Sequence, residues 1–144
     1  MIDATPLLRL YAGFRRRALE REDAAAVQQR TLVRLIGAAT RTRFGRDHGF
    51  AQIGDRRAFQ AAVPLRRYEA FWSEYWRPVF PRLVDCSWPG RIPFFAATSG
   101  TTTGATKYIP VTRAMIRSNR RAGLDLLVHH LAARPASRLF AGPN

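Results

Sequence analysis

Ile92-Pro93-Phe94-Phe95-Ala96-Ala97-Thr98-Ser99-Gly100-Thr101-Thr102-Thr103-Gly104-Ala105-Thr106-Lys107-Tyr108-Ile109-Pro110-Val111-Thr112 holds two short apolar runs around a segment of small and hydroxylic residues with one lysine. Residues 92–97 and 108–111 predict two strands joined as a hairpin. A proline in each run places both strands at an edge or an end, because proline cannot donate to a ladder. Between the strands, Gly100 and Gly104 allow positive φ and close approach of the backbone to a ligand. Successive N–H groups in such a turn can form an anion-binding nest. Ser99, Thr101, Thr102 and Thr103 add hydroxyl donors, and Lys107 adds a compact positive charge. No acidic residue falls between Asp85 and Asp125, so nothing nearby along the chain repels a phosphate. The spacing differs from a Walker A loop, in which the lysine follows the second glycine directly and opens a helix. A flexible polar hairpin loop has the same composition, so composition alone leaves both readings open.

Working outward, Thr112 is placed to cap a helix over residues 113–133. Met115, Ile116, Leu124, Leu127, Val128 and Leu131 give that helix an apolar face, and Pro135 ends it. Residues 138–141 read as the start of another strand. Upstream, residues 6–26 predict a helix with Leu7, Leu8, Tyr11, Phe14 and Ala18 on one face. A packed surface helix is favoured over a basic amphipathic helix at a membrane. Residues 27–42 predict a second helix that buries Leu32, Leu35, Ile36 and Ala39, stopping near Phe44-Gly45. A turn-rich loop is expected over 43–54. Asp55 then caps a short helix through Ala62, closed by Val63-Pro64. Tyr68, Phe71, Trp72, Tyr75 and Trp76 stripe a helix over 67–77, read as core rather than as a stacking surface for a ligand. Pro78, Pro81, Pro89 and Gly90 make the next stretch irregular. Two strands alone are marginal in water, so the hairpin implies an incomplete sheet. The fold class is helix-rich α/β, with helices around a β-hairpin, and the chain is expected to be a piece of a larger enzyme.

The chain has 144 residues, the length of about one domain, and is 47% hydrophobic, as a folded chain requires. Lys+Arg is 24 against 10 Asp+Glu, a net charge of +14. Such a balance fits nucleic acid, an anionic membrane or an acidic substrate. The basic residues are spread through several helices rather than gathered in one tract, so direct nucleic-acid binding is the less favoured reading. It stays as an alternative, a non-enzymatic basic module, with a steep salt dependence as its signature. Lys107 is the only lysine; the other 23 cations are arginine. Cys86 is the only cysteine, so no internal disulfide forms. No secretory signal or membrane-spanning run is read, which makes the cytoplasm the expected compartment. His48, His129 and His130 form no metal-ligand constellation with cysteine or carboxylates.

The order of residues resolves the open loop. Thr98-Ser99-Gly100-Thr101-Thr102-Thr103-Gly104-Ala105-Thr106-Lys107 resembles the phosphate loop of the adenylate-forming (ANL) superfamily. With Tyr108-Ile109-Pro110-Val111-Thr112 it is similar to the auxin-responsive-promoter (Gretchen Hagen 3) family of acyl-acid amido synthetases and their bacterial relatives. Thr42-Arg43-Phe44-Gly45-Arg46-Asp47-His48-Gly49-Phe50 is similar to an upstream stretch of that family. Phe59-Gln60-Ala61-Ala62-Val63-Pro64-Leu65-Arg66-Arg67-Tyr68-Glu69 is similar to its Val-Pro-x-x-x-Tyr-Glu segment. The resemblance implies that residues 1–144 are the truncated N-terminal portion of a large ATP-binding domain, with 98–107 as its phosphate loop. It implies two steps: a carboxylic acid and ATP give an acyl-adenylate, and an amino acid then displaces AMP to form an amide. Ser99, Gly100, Thr101, Thr102, Thr103 and Gly104 match the nucleotide-binding loop, Lys107 matches its lysine, and Mg²⁺ is implied with ATP. An acyl-CoA ligase of the same superfamily is the alternative within this chemistry. The adenine, ribose and most acyl-acid contacts of the family lie downstream of Asn144, so the chain alone is expected to be inactive.

Overall fold

Phe94–Thr98 (β1) and Lys107–Val111 (β2) form a two-stranded antiparallel sheet, with Phe94 opposite Val111 and Thr98 opposite Lys107. The structure is a computed structural model that describes residues 3–98 and 106–138. Six α-helices occur among the described residues: α1 Thr5–Glu20, α2 Ala24–Ala39, α3 Arg43–Asp47, α4 Arg56–Ala62, α5 Tyr68–Phe71 and α6 Arg113–Ala133. The helix-rich α/β class and the hairpin are as the sequence implies. The chain divides into two compact units, one of residues 24–113 and one that joins residues up to 23 with those from 114 onward.

In the unit of residues 24–113, one core gathers Ile36, Ala39, Phe50 and Ile53, with Leu32, Phe44, Phe59 and Val63 packed around them. The buried face of α2 is therefore Leu32, Ile36 and Ala39, and Leu35 is left 43% exposed, against expectation. A second core gathers Tyr75, Leu83, Cys86 and Ile92, with Phe44, Phe71, Trp76, Trp88 and Phe95 against it. Phe44 belongs to the margins of both cores, its ring 5.7 Å from Phe50 and 5.1 Å from Tyr75. Burying each large apolar side chain is worth about 1.5–3 kcal/mol, so two small cores sharing one ring tie the unit together.

The segment 43–54, expected to be a loop, contains α3, a left-handed Gly49 (φ 62°) and a 3₁₀ turn, Phe50–Gln52. Thr42 is the cause. Its Oγ1 accepts from the Gly45 N–H at 3.0 Å and donates to the Ala39 carbonyl at 2.7 Å, capping α3 while holding the end of α2. The Arg43 and Phe44 N–H groups, orphan donors of a first helical turn, reach the Asp85 and Cys86 carbonyls at 2.7 and 2.9 Å. The acceptor loop is closed by a bridge between Val84 and Arg91 and by Asp85 Oδ1, which accepts from the Gly90 N–H at 2.6 Å. Asp55 caps α4 as expected, accepting from Ala58 N–H at 2.8 Å.

The aromatic segment is not one regular helix. α5 makes a single turn and continues as a π-helical turn, Trp72–Trp76, and a 3₁₀ turn, Arg77–Val79. A π turn widens the period beyond 3.6 residues, so the five aromatics do not stay on one face. Tyr75 alone among them is fully buried; the other four are half-buried.

In the other unit, α1 packs against α6 through Leu8, Ala12, Val128 and Leu131. The apolar stripe expected for α1 is not the one used. Leu7 is 73% and Phe14 66% exposed, whereas Thr5 and Ala12 are buried and Leu8, Arg15 and Leu19 half-buried. The Arg15 guanidinium meets Asp125 with two bonds, 2.7 and 2.8 Å. That fork, beside the small Ala12, sets which side of α1 faces α6. α1 stops at Glu20 and α2 begins at Ala24, so the break between the two expected helices falls at 21–23 rather than at 26–27. Arg138 lies in no strand, and the rest of the strand expected at 138–141 falls outside the described residues. No helix among the described residues is long and apolar enough to cross a membrane.

Candidate functional site

The register Thr98 to Lys107 closes the hairpin, so the loop residues enter and leave at two paired strand ends. Ser99, Gly100, Thr101, Thr102, Thr103 and Gly104, the expected phosphate-binding residues, lie outside the described residues. What the structure does describe is the loop's exit. Lys107 opens β2, and its side chain is bound by α5. Its Nζ lies 2.6 Å from Glu69 Oε1 and 4.9 Å from the centre of the Tyr68 ring. The Tyr68 hydroxyl accepts from the Tyr108 N–H at 2.9 Å and donates to the Tyr108 carbonyl at 3.3 Å. Adjacent residues of α5 thus hold adjacent residues of β2. Trp72 and Phe80 complete an aromatic wall against Tyr108, at 6.2 and 5.2 Å between ring centres.

The electrostatics differ from those read along the chain. No acidic residue is near Lys107 in sequence, yet Glu69 reaches it through space. The hydrogen bond from Lys107 holds the Glu69 carboxyl below the usual carboxylate range, and the nearby Arg67 adds to the effect. Lys107 is therefore a compensated charge rather than a free one. Sequence reasoning read Tyr68 as a core aromatic and placed Glu69 in a family-like segment without assigning it a task. The contact of Glu69 with Lys107 is tertiary, across 38 positions, which no local pattern encodes.

Behind this contact, the two upstream family segments meet. His48, from the first, is buried, and its Nδ1 lies 2.9 Å from the Phe44 carbonyl. A carbonyl only accepts, so Nδ1 carries the proton and Nε2 is left to accept from Arg66 Nη2 at 3.3 Å. Arg66, from the second segment, also pairs with Glu74 and lies over the Tyr75 ring, while Arg43 lies over the same ring at 5.2 Å. These contacts give both ring nitrogens of His48 a partner within the fold. Among the described residues no group of three or more His, Cys, Asp or Glu side chains is placed to hold a metal ion. A shallow cavity of about 340 Å³ opens between α1 and α6, lined by Arg9, Ala12, Arg16, Val128 and Leu131. Tyr68, Glu69 and Lys107 do not line it.

The fold and the exit of the loop define a helix-rich α/β chain that contains a hairpin with a lysine at the start of its second strand. A family model describing the GH3 family N-terminal domain matches residues 16–141. The chain belongs to the GH3 family, which comprises acyl-acid amido synthetases in general. A comparison with curated proteins found no significant match.

Proposed function

We propose that this chain serves the ATP-dependent activation of a carboxylic acid as an acyl-adenylate, followed by amide formation with an amino acid. The observation that carries this reading is the loop Thr98–Lys107 within a GH3 N-terminal domain, with its lysine at the start of β2. The donor set suits a polyphosphate: two glycines, six hydroxyls and one ammonium, with no carboxylate inside the loop. Ser99, Gly100, Thr101, Thr102, Thr103 and Gly104 would hold the phosphates, and Lys107 would offset the charge that builds as pyrophosphate departs. This is electrostatic stabilisation by fixed donors rather than covalent catalysis. Mg²⁺ would arrive with the nucleotide.

The test, made in the full-length protein that this reading implies, is carboxylic-acid-dependent exchange of pyrophosphate into ATP, followed by hydroxamate or amide formation. Lys107→Ala and Ser99→Ala are each expected to lower the exchange by about 10-fold or more, the scale of one charge-assisted contact. Exchange at the native rate in both variants would refute the assignment. Amide formation with amino acids, and none with coenzyme A, is the expected second-substrate pattern.

A further inference from the structure

Lys107 is the chain's only ammonium side chain, and α5 already occupies it. Its side chain is 32% exposed and that of Glu69 60%, so the pair lies at the surface and can open. Tyr68, fixed at both polar groups of Tyr108, provides a seat whose position relative to the lysine's own backbone is set. An ammonium has three donors, and here one is directed to a carboxylate while the ring lies close on another side. A ligand anion that approaches Lys107 meets a neutral pair, not a cation.

We propose that Glu69 is a specificity-determining counter-ion, which keeps Lys107 on the Tyr68 ring and gives it up only to a group more highly charged than a carboxylate. The inference rests on the nucleotide reading above and deepens it. A terminal phosphate of a polyphosphate carries enough charge to take the ammonium from Glu69; a simple carboxylate gains nothing by the exchange. The acid substrate, itself a carboxylate, is thereby kept from the lysine until the nucleotide has taken it. The event is an exchange of ion-pair partners in which no covalent bond changes.

The test uses the full 144-residue chain labelled with ¹⁵N-lysine, in which Lys107 gives the one lysine ammonium signal. In the ligand-free chain, Glu69→Gln is expected to move that signal. The same variant is expected to bind tripolyphosphate about threefold more tightly, the scale of an exposed ion pair. It should also let excess acetate shift the Lys107 signal, which acetate leaves in place in the native chain. A Lys107→Ala background is expected to abolish the gain in tripolyphosphate affinity. A signal indifferent to Glu69→Gln would show that the pair does not form, and weaker or unchanged tripolyphosphate binding would show that Glu69 does not restrain the lysine. An equal gain without Lys107 would mean that Glu69 acts as a general repelling charge; each of these results overturns the proposal. Tripolyphosphate that leaves the Lys107 signal unmoved in both chains overturns the nucleotide reading and this role with it. That case is recognised because Glu69→Gln still shifts the ligand-free signal.

Discussion

Gly45 shows how one residue can be fixed by its neighbours' backbone. A Cβ added there would stand 2.1 Å from the Ala39 carbonyl oxygen and 2.9 Å from its carbon, atoms of a helix end that cannot rotate away. Gly45→Ala is therefore expected to destabilise the chain by about 3 kcal/mol, measured by urea unfolding, beyond what most surface substitutions cost. Asp125 makes a different argument. The bonds from Arg15 hold its carboxyl below the usual carboxylate range, against a smaller opposing effect of burial. A carboxyl with a depressed folded pKa stabilises the fold above its unfolded pKa of about 3.9, and the gain is lost as pH falls through the folded value. Asp125→Asn should lower stability by about 1 kcal/mol at pH 7, and the difference from the native chain should shrink steadily below about pH 4. A gap that stays constant to pH 2 would rule out the ion pair.

At the scale of elements, each helix has one face that matters, and α6 offers a direct comparison. Val128 is fully buried, while Leu126, two positions away, is 70% exposed. Val128→Ala is expected to cost about 2 kcal/mol through lost burial and the space left behind, and Leu126→Ala less than about 0.5 kcal/mol. Equal effects would mean that α6 packs through another face. The periodicity of α6 is legible in its C-terminal half, where buried Val128 and Leu131 stand three apart on the expected face, whereas Met115 and Leu124 of that face are exposed. That of α1 is misleading, because its largest apolar residues, Leu7, Leu10 and Phe14, are the exposed ones. A charged Arg15 and a small Ala12 take the packed face instead, one through a paired carboxylate and the other through close approach. The aromatic segment fails for another reason: a π turn breaks the 3.6-residue register on which stripe-reading depends.

The whole molecule carries one cysteine, which makes it a reporter of global opening. Cys86 is buried in the second core, its Sγ 3.2 Å from the Tyr75 carbonyl, and burial pushes its thiol pKa upward. Both effects slow thiolate chemistry. Its reaction with a disulfide reagent at pH 8 is expected to be at least about 100-fold slower in the native chain than in urea. Fast native labelling would show that this core opens easily. The net charge of +14 also acts on the whole molecule. A gel-shift titration should show DNA binding only at low salt, lost by about 0.2 M, as expected of nonspecific contacts. Retention at that salt would favour a dedicated basic module.

Local chemistry alone was enough to determine several features of this protein: the hairpin, the Asp55 cap and the long last helix. Proline, glycine, capping carboxylates and strand-forming runs act on their own neighbours, so their effects are written in order along the chain. Tertiary structure decided the rest. It chose the face of α1, turned a presumed loop at 43–54 into the capped α3, and set Glu69 against Lys107. Those outcomes depend on which distant groups come within bonding distance once the cores close, and the energy of such contacts has no local signature for a sequence to display.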